Sequence, residues 1–167
     1  MKRVMALPKL HFKKDRPKAR VYFSSSRDLL TTHSRKMLQH DMIESAMAED
    51  VSTIAEGGWA TISAEQLLAW NPEVIIVSAG AQYPLDFEKD ARFREIEAVK
   101  KGRVHQMPDG KISYWDYPGP NAAIGVLWIA KVCYPDLFKE LDWPSEMDRY
   151  YRNVYGISRT QLNGKPK

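Results

Sequence analysis

Aromatic and charged side chains concentrate in loop segments of this chain. Trp59 follows two glycines, Tyr83 lies in a segment rich in residues that break regular structure, and Tyr114 and Trp115 are adjacent. Flat aromatic rings bury a large area when they stack on a planar molecule, and a guanidinium such as that of Arg35 pairs with anionic oxygens. These residues indicate a surface that holds a small molecule.

Each of these residues also has a purely structural explanation. Trp59 could cover an edge of a sheet, and Trp115 could fill the core against the apolar segment 120–133. Arg35, like the nearby His33, could be an ordinary surface residue. The sequence leaves both interpretations open.

The histidines and the cysteine lack the spacing that catalysis or metal binding usually shows. His11, His33, His40 and His105 contain no H-x-x-x-H pair, and Cys133 is the only cysteine. Neither a G-x-S-x-G elbow nor a Walker loop is present. We therefore expect no enzyme, no catalytic residue, no cofactor and no metal ligands in this chain.

Charge is distributed unevenly along the sequence. The formal net charge is +4, but residues 1–20 carry +7, residues 159–167 carry +3 and residues 21–158 carry −6. Nucleic-acid binding needs Lys and Arg clustered opposite phosphates. Because the basic residues lie at the two ends, we expect no nucleic-acid partner.

Length and composition predict one globular domain with flanking segments. The chain has 167 residues and 44% hydrophobic content, which suits a single domain with a real core. No run approaches the roughly 18 apolar residues that a membrane span needs. Met1–Lys18 is basic and is interrupted by Pro8 and Pro17, unlike a secretory leader. We expect a basic lead-in over 1–17, a domain over 18–158 and a flexible basic tail over 159–167.

The clearest structural pattern lies between Ser63 and Val77. Ser63 and Gln66 have the spacing of a capping box at a helix start. Pro72 ends that helix, since the residue before a proline avoids the helical region. The β-branched run Val74–Val77 then predicts a strand that is buried on both faces.

Periodicity and turn residues extend this pattern over the chain. Alternating strands and helices predict an α/β fold, in which a mostly parallel sheet of about four strands has helices on both faces. The predicted strands are Ala19–Ser25, Asp50–Ile54, Glu73–Ser78 and Arg103–Met107, and the predicted helices are Ser34–Met47, Ser63–Trp70, Phe87–Ala98, Pro120–Cys133 and Ser145–Tyr155.

Residues 59–76 also fit the pattern W-x-x-[VI]-S-x-E-Q-L-L-x-x-N-P-[DE]-V-I-[IV] at every position. In this the chain resembles the second lobe of the periplasmic binding proteins that deliver iron–siderophore complexes, haem and cobalamin to ABC importers. The resemblance covers about residues 18–158 and continues at 91–104, 115–120, 127–131, 134–136 and 150–156.

The resemblance implies one Rossmann-like lobe of a two-lobe protein that works outside the cytoplasmic membrane. Family members hold their ligand between two lobes joined by a long helix, and 167 residues provide room for one lobe. Residues 1–17 would then be a remnant of the interlobe helix. We expect either a fragment of a two-lobe protein or a gene product reduced to its second lobe.

The resemblance also implies partners. The ligand would be an iron complex, either a ferric siderophore or haem, or it would be cobalamin. Any metal would belong to that ligand. Trp59, Tyr83, Tyr114, Trp115 and Arg35 would contact it. Glu65, in the S-x-E-Q-L helix, would dock on the ABC permease. The alternative is a transport-inactive interaction domain that forms a homodimer through its exposed cleft face.

Overall fold

The structure is a computed structural model that describes residues 2–13, 15–52 and 54–163. Within these ranges the chain forms six strands, seven α-helices and one short 3-10 turn at Phe87–Lys89. The strands are β1 (Arg20–Ser24), β2 (Thr31–Thr32), β3 (Glu49–Asp50), β4 (Ala60–Thr61), β5 (Val74–Val77) and β6 (Val104–Gln106). The helices are α1 (Lys2–His11), α2 (Leu38–Ser45), α3 (Ala64–Trp70), α4 (Glu97–Lys100), α5 (Ala122–Cys133), α6 (Trp143–Tyr155) and α7 (Arg159–Asn163).

The strands form one mixed sheet in the order β4-β2-β1-β5-β6, with β3 paired to β1. Strands β3, β5 and β6 run parallel to their neighbours, and Val21 of β1 is in register with Val74 of β5. Strand β2 is antiparallel to both β1 and β4. The predicted α/β class is confirmed, and the four predicted strands correspond to its parallel part.

Two strands of the sheet were not predicted. Strands β2 and β4 contain two residues each, Thr31–Thr32 and Ala60–Thr61. A pair of residues is too short to show the alternation that identifies a strand. Their antiparallel pairing makes the sheet mixed rather than parallel throughout.

The two central strands alternate between two hydrophobic cores. In β1, Val21 and Phe23 pack with one core, while Tyr22 packs with the other. In β5, Ile76 lies in the first core and Ile75 in the second. Successive side chains of a strand point to opposite faces. Helices α1, α2, α5 and α6 cover the first face, and α3 and α4 cover the second.

Helix α3 begins and ends where the sequence predicts. The Ser63 side chain accepts a hydrogen bond from the backbone N–H of Gln66 at 3.1 Å, which satisfies one free donor of the first turn. Asn71 closes the helix in the left-handed conformation with φ of 40°, and Pro72 follows. The local pattern therefore determines this element.

The segment 87–98 was predicted as one helix, and that prediction is wrong. It contains the 3-10 turn and then a loop that ends at α4. The Asp90 carboxylate accepts a hydrogen bond from the backbone N–H of Arg92 at 2.9 Å. Such side-chain bonds compete with the helical ladder. Phe87, Phe93 and Ile96 are nevertheless buried in the second core.

Three other predicted elements shift at their starts. Helix α2 begins at Leu38 because the Ser34 hydroxyl donates to the carbonyl of Gly57 at 2.7 Å and serves a loop instead. Helix α6 begins at Trp143, with Asp142 as its cap instead of Ser145. The strand predicted over 50–54 is β3, Glu49–Asp50, and Thr53 lies outside the described residues.

Both flanking segments contain helix. Helix α1 buries Val4 and Leu7 in the first core, whereas Met1 and Lys14 lie outside the described residues. The segment predicted as a flexible tail starts with α7, whose Leu162 is buried, and its last four residues, 164–167, are also outside the described ranges. Among the described helices, none combines the length and apolar character required to cross a bilayer.

Candidate functional site

A cleft of about 410 Å³ lies where β1, β5 and β6 end. In sheets with parallel strands, ligands collect outside the carboxyl ends of the strands. The residues that line it come from the loops after those strands, from the start of α2 and from the loop before β4: Ser25, Ser26, Arg27, Met37, Leu38, Gln39, Trp59, Ser78, Asp116, Tyr117 and Pro118.

Aromatic rings stand at the rim of this cleft. Trp59 is 40% exposed and Tyr117 is also exposed, so both present ring surface to solvent. Tyr114 is 37% exposed and meets Tyr117 edge to face, with ring centroids 5.1 Å apart. It lines a neighbouring hollow of about 290 Å³ that shares Tyr117 with the cleft. The structure therefore places Trp59 and Tyr114 at one surface.

One wall of the cleft favours negative charge. Arg27 and the hydroxyl-bearing residues Ser25 and Ser26 follow β1 directly. Helix α2 starts in the lining of the same cleft, and its N-cap Met37 makes no side-chain hydrogen bond to the first turn. Unsatisfied N–H groups at a helix start attract anions. These groups can bind the anionic oxygens of a solute.

Two buried acceptors on the cleft lining lack donors. Gln39 is 5% exposed and Asp116 is 1% exposed. Asp116 Oδ2 accepts from the Ser78 hydroxyl at 2.5 Å and from the Ala79 N–H at 3.2 Å. Within the described part of the chain, neither Asp116 Oδ1 nor Gln39 Oε1 has a hydrogen-bond partner. A buried acceptor without a partner is costly, so water or a donor on a solute is expected there.

Tyr83 does not line the cleft but holds the loop after β1, which does. Its hydroxyl lies 2.5 Å from Ser24 Oγ and donates to the carbonyl of Ser25 at 3.1 Å. Burial raises the pKa of this hydroxyl to about 12, although the Ser24 hydrogen bond opposes the shift. Tyr83 stays protonated at neutral pH and fixes the loop after β1.

Trp115 lies in the core, contrary to its prediction as a ligand contact. It is 3% exposed, and its indole N–H donates to the hydroxyl of Tyr151 at 3.3 Å. Its ring packs against Trp143 with centroids 6.1 Å apart. The alternative considered above, a plug against the apolar helix, describes its position.

Arg35 lies at the surface beside the cleft but outside its lining. Its Nε donates to the carbonyl of Ser52 at 3.3 Å, and its backbone N–H donates to the carbonyl of Ile54 at 2.9 Å. Both bonds hold it against the loop after β3. The lining instead contains Arg27, a residue of the segment after the first predicted strand.

Glu65 occupies the first turn of α3, and its side chain is exposed. A hydrogen bond from its own backbone N–H lowers the pKa of the carboxyl group, and the Ser63 hydroxyl adds to this effect. The carboxylate is therefore ionised at neutral pH. Its position at a helix start also favours negative charge without any partner.

Sequence reasoning missed Gln39, Asp116 and Tyr117 as members of the lining. Asp116 and Tyr117 lie in the segment 115–120 that carries part of the family resemblance, so a signal existed. For Gln39 the sequence contains no such signal, because a single polar residue is ordinary in an amphipathic helix. Its amide donates to the backbone carbonyl of Asp116 at 3.0 Å, a contact that only the fold creates.

Comparison with known proteins agrees with this architecture. The sequence profile of the periplasmic binding protein family matches residues 3–110. The molybdate-binding protein MolA of Haemophilus influenzae is 35% identical over 121 residues, which make up 70% of this chain and 34% of MolA. This chain belongs to the periplasmic binding protein family.

Solved structures show the same fold. The molybdate-bound MolA structure superposes with a TM-score of 0.72 at 28% identity, covering 94% of this chain and 49% of MolA. Helicobacter pylori CeuE with bound Ni(II) gives a TM-score of 0.84 at 21% identity, covering 97% of this chain and 52% of CeuE. The chain therefore spans about half the length of these proteins, or less.

Proposed function

We propose that this chain is the solute-binding lobe of an extracytoplasmic receptor that delivers its solute to an ABC importer. The observation that carries the proposal is the cleft after β1, β5 and β6, with exposed aromatic rings beside an arginine. Its family supports a binding role, and the relatives named above are binding proteins rather than enzymes.

The cleft favours an anionic solute that also carries hydrogen-bond donors. Arg27, Ser25 and the start of α2 suit anionic oxygens, while Gln39 Oε1 and Asp116 Oδ1 need donors. Ferric siderophores often combine anionic oxygens with amide N–H groups, and Trp59 and Tyr117 can cover a flat face of such a complex. An iron–siderophore complex fits these features best. Haem and cobalamin also present a flat macrocycle that can stack on the aromatic rings.

A metal oxyanion is the second candidate. The observation that favours it is the 35% identity with a molybdate-binding protein. Against it, molybdate at neutral pH offers only acceptor oxygens, so water would have to supply the donors to Asp116 Oδ1 and Gln39 Oε1. In a direct titration, the first candidate predicts binding of an iron–siderophore complex, and the second predicts binding of molybdate.

Affinity for this chain alone should be modest. The cleft is lined by this chain alone, whereas the matched proteins are about twice as long. High-affinity sites bury most of the ligand surface, and an open wall leaves much of the ligand hydrated. We expect dissociation constants weaker than about 1 μM, which corresponds to roughly −8 kcal/mol.

Tryptophan fluorescence tests the proposal. Ferric catecholate, ferric hydroxamate, haem, cobalamin and molybdate are titrated into the wild-type chain, and Trp59→Phe identifies the signal that comes from the rim. Arg27→Ala should weaken binding of the preferred solute by about tenfold, the loss of a charged hydrogen bond. Arg94→Ala is the matched control, since Arg94 is exposed on a loop outside the cleft lining.

Two results would count against the proposal. Binding of none of the five solutes at millimolar concentration would remove the solute-binding role. Equal effects of Arg27→Ala and Arg94→Ala would place the solute elsewhere on the surface. Saturable binding of molybdate alone would select the second candidate.

A further inference from the structure

His33, His40 and Asp50 lie up to 17 residues apart in the sequence and meet in the fold outside the cleft lining. His33 Nε2 lies 2.9 Å from Asp50 Oδ2, and His40 Nδ1 lies 2.7 Å from the same oxygen. Within the described residues, these three ligand-type atoms all lie within 4.8 Å of one another. No metal ligands were expected from the sequence, because His33 and His40 lack a recognised spacing, but the fold brings Asp50 between them.

The carboxylate at the centre of this cluster is fully buried. The side chains of Asp50 and His33 are 0% exposed. Both histidine contacts converge on the same oxygen, Asp50 Oδ2. A buried charge needs a compensating charge, and a cation bound at this oxygen would supply it.

The orientation of His33 directs Nε2 at the carboxylate, 2.9 Å from Asp50 Oδ2. The Thr32 hydroxyl donates its proton to the carbonyl of Phe23 at 2.7 Å, and its oxygen lies 3.5 Å from His33 Nδ1. His33 Nε2 and Asp50 Oδ2 can share a proton in a hydrogen bond, and the same two atoms can share a metal ion.

The geometry points to a binding site for one divalent transition-metal ion, of the zinc, nickel or cobalt type, at His33 Nε2, His40 Nδ1 and Asp50 Oδ2. Two imidazoles and one carboxylate are ligands that these ions prefer. Metal–ligand bonds of about 2.0–2.2 Å place tetrahedral ligand atoms about 3.3 Å apart. The observed 2.9 Å and 2.7 Å separations would need to widen by a few tenths of an ångström.

The surroundings supply an outer shell and an entrance. The backbone N–H of Ser52 donates to Asp50 Oδ1 at 3.0 Å, which leaves Oδ2 for the ion. The His40 side chain is 23% exposed, so water can reach the cluster from that side and occupy a fourth position. Hydrogen bonds like that from Ser52 to Asp50 orient metal ligands. None of the three side chains lines the solute cleft, so this inference stands apart from the proposed function.

Metal titration of the tag-free full chain tests the site. After chelator treatment and desalting, isothermal titration with ZnCl₂, NiCl₂ and CoCl₂ should show one equivalent of saturable binding, while MgCl₂ and CaCl₂ give no heat. His40→Gln should weaken zinc binding by more than about tenfold. His11→Gln is the matched control, because His11 is an exposed histidine on α1.

A second measurement covers variants that fold poorly. X-ray absorption of the zinc-loaded wild type should show two imidazole ligands, and zinc should raise the melting temperature of the wild type and of His11→Gln but not of His40→Gln. The absence of a one-equivalent site would overturn the proposal, as would equal effects of the two substitutions. Either outcome would leave the three side chains as a hydrogen-bonded His–Asp–His cluster.

Discussion

Burial distinguishes the two loop tryptophans that the sequence presents as equivalent. Trp59 exposes its ring at the cleft, whereas Trp115 is enclosed by Tyr151 and Trp143. Residue type and loop position predicted an aromatic surface at the strand ends, and Trp59 and Tyr114 are there. They could not predict which rings turn inward, because that depends on the packing of α5 and α6, elements distant in sequence.

Substitution of the two tryptophans should have opposite consequences. Trp115→Ala removes a buried ring and should lower the free energy of unfolding by about 3–5 kcal/mol. Trp59→Ala removes an exposed ring and should change it by no more than about 0.5 kcal/mol. Urea denaturation followed by circular dichroism measures both. A large loss for Trp59→Ala would mean that its ring supports the fold.

The single cysteine should be unreactive in the native protein. Cys133 is buried in α5, and burial raises the pKa of its thiol from 9.0 to about 12. At pH 8, labelling by a disulfide reagent should be at least about a hundredfold slower than in denaturant, because it requires opening of the core. Equal rates with and without denaturant would contradict the burial of this helix.

The Cys133 thiol also makes the free energy of unfolding depend on pH. The unfolded chain releases the Cys133 proton above about pH 9, whereas the native chain keeps it up to about pH 12. The unfolded state therefore binds fewer protons in this window, so the contribution of this group to stability falls as pH rises. Cys133→Ala should reduce the loss of stability between pH 8 and pH 10, as measured by urea titration at each pH.

At the scale of elements, local patterns predicted the parts that local interactions decide. The Ser63 cap, the Pro72 stop and the run Val74–Val77 were visible because each acts within a few residues. Strands β2 and β4 were not visible in the sequence, since a strand of two residues is defined only by its pairing with neighbouring strands. The cluster of His33, His40 and Asp50 was not predicted for the same reason, because Asp50 joins the two histidines only once β3 pairs with β1.

Packing of α5 against the loop after β6 gives a prediction at this scale. A Cβ at Gly125 would lie 2.6 Å from the carbonyl oxygen of Trp115 and 2.7 Å from Cε of Met42. Gly125→Ala should therefore destabilise the protein by about 1–3 kcal/mol, although alanine favours a helix by about 1 kcal/mol. Thermal unfolding measures this change.

Gly58→Ala is the matched control for that substitution, since a Cβ at Gly58 meets nothing within 4 Å. It should leave the melting temperature close to that of the wild type. Stabilisation by Gly125→Ala would mean that α5 sits farther from the loop than the structure shows.

At the scale of the whole molecule, the chain has the fold of half of a periplasmic binding protein. The sheet ends in a one-sided cleft, and the matched solved structures are about twice as long. The resemblance at residues 59–76 predicted this family, while the arrangement of the cleft residues required the fold. Homodimerisation through the cleft face stays a prediction that the molecular mass in solution would test.

We propose that the whole molecule docks on a permease through Glu65. Glu65 presents an ionised carboxylate on α3, away from the cleft lining, and such a group can pair with arginines across an interface. Glu65→Ala should leave the melting temperature and solute affinity unchanged and weaken binding to the cognate permease in nanodiscs by about tenfold. Glu88→Ala, another exposed glutamate, is the control. Equal binding by both variants would exclude this role.

Amide NMR of the labelled chain would locate a bound solute residue by residue. The preferred solute is titrated to millimolar concentration while the backbone signals are followed. We expect saturable shifts confined to the cleft, at residues 25–27, 37–39, 59, 78, 116 and 117. Shifts centred elsewhere, or no shifts with any of the five solutes, would contradict a solute-binding lobe with its site at the ends of these strands.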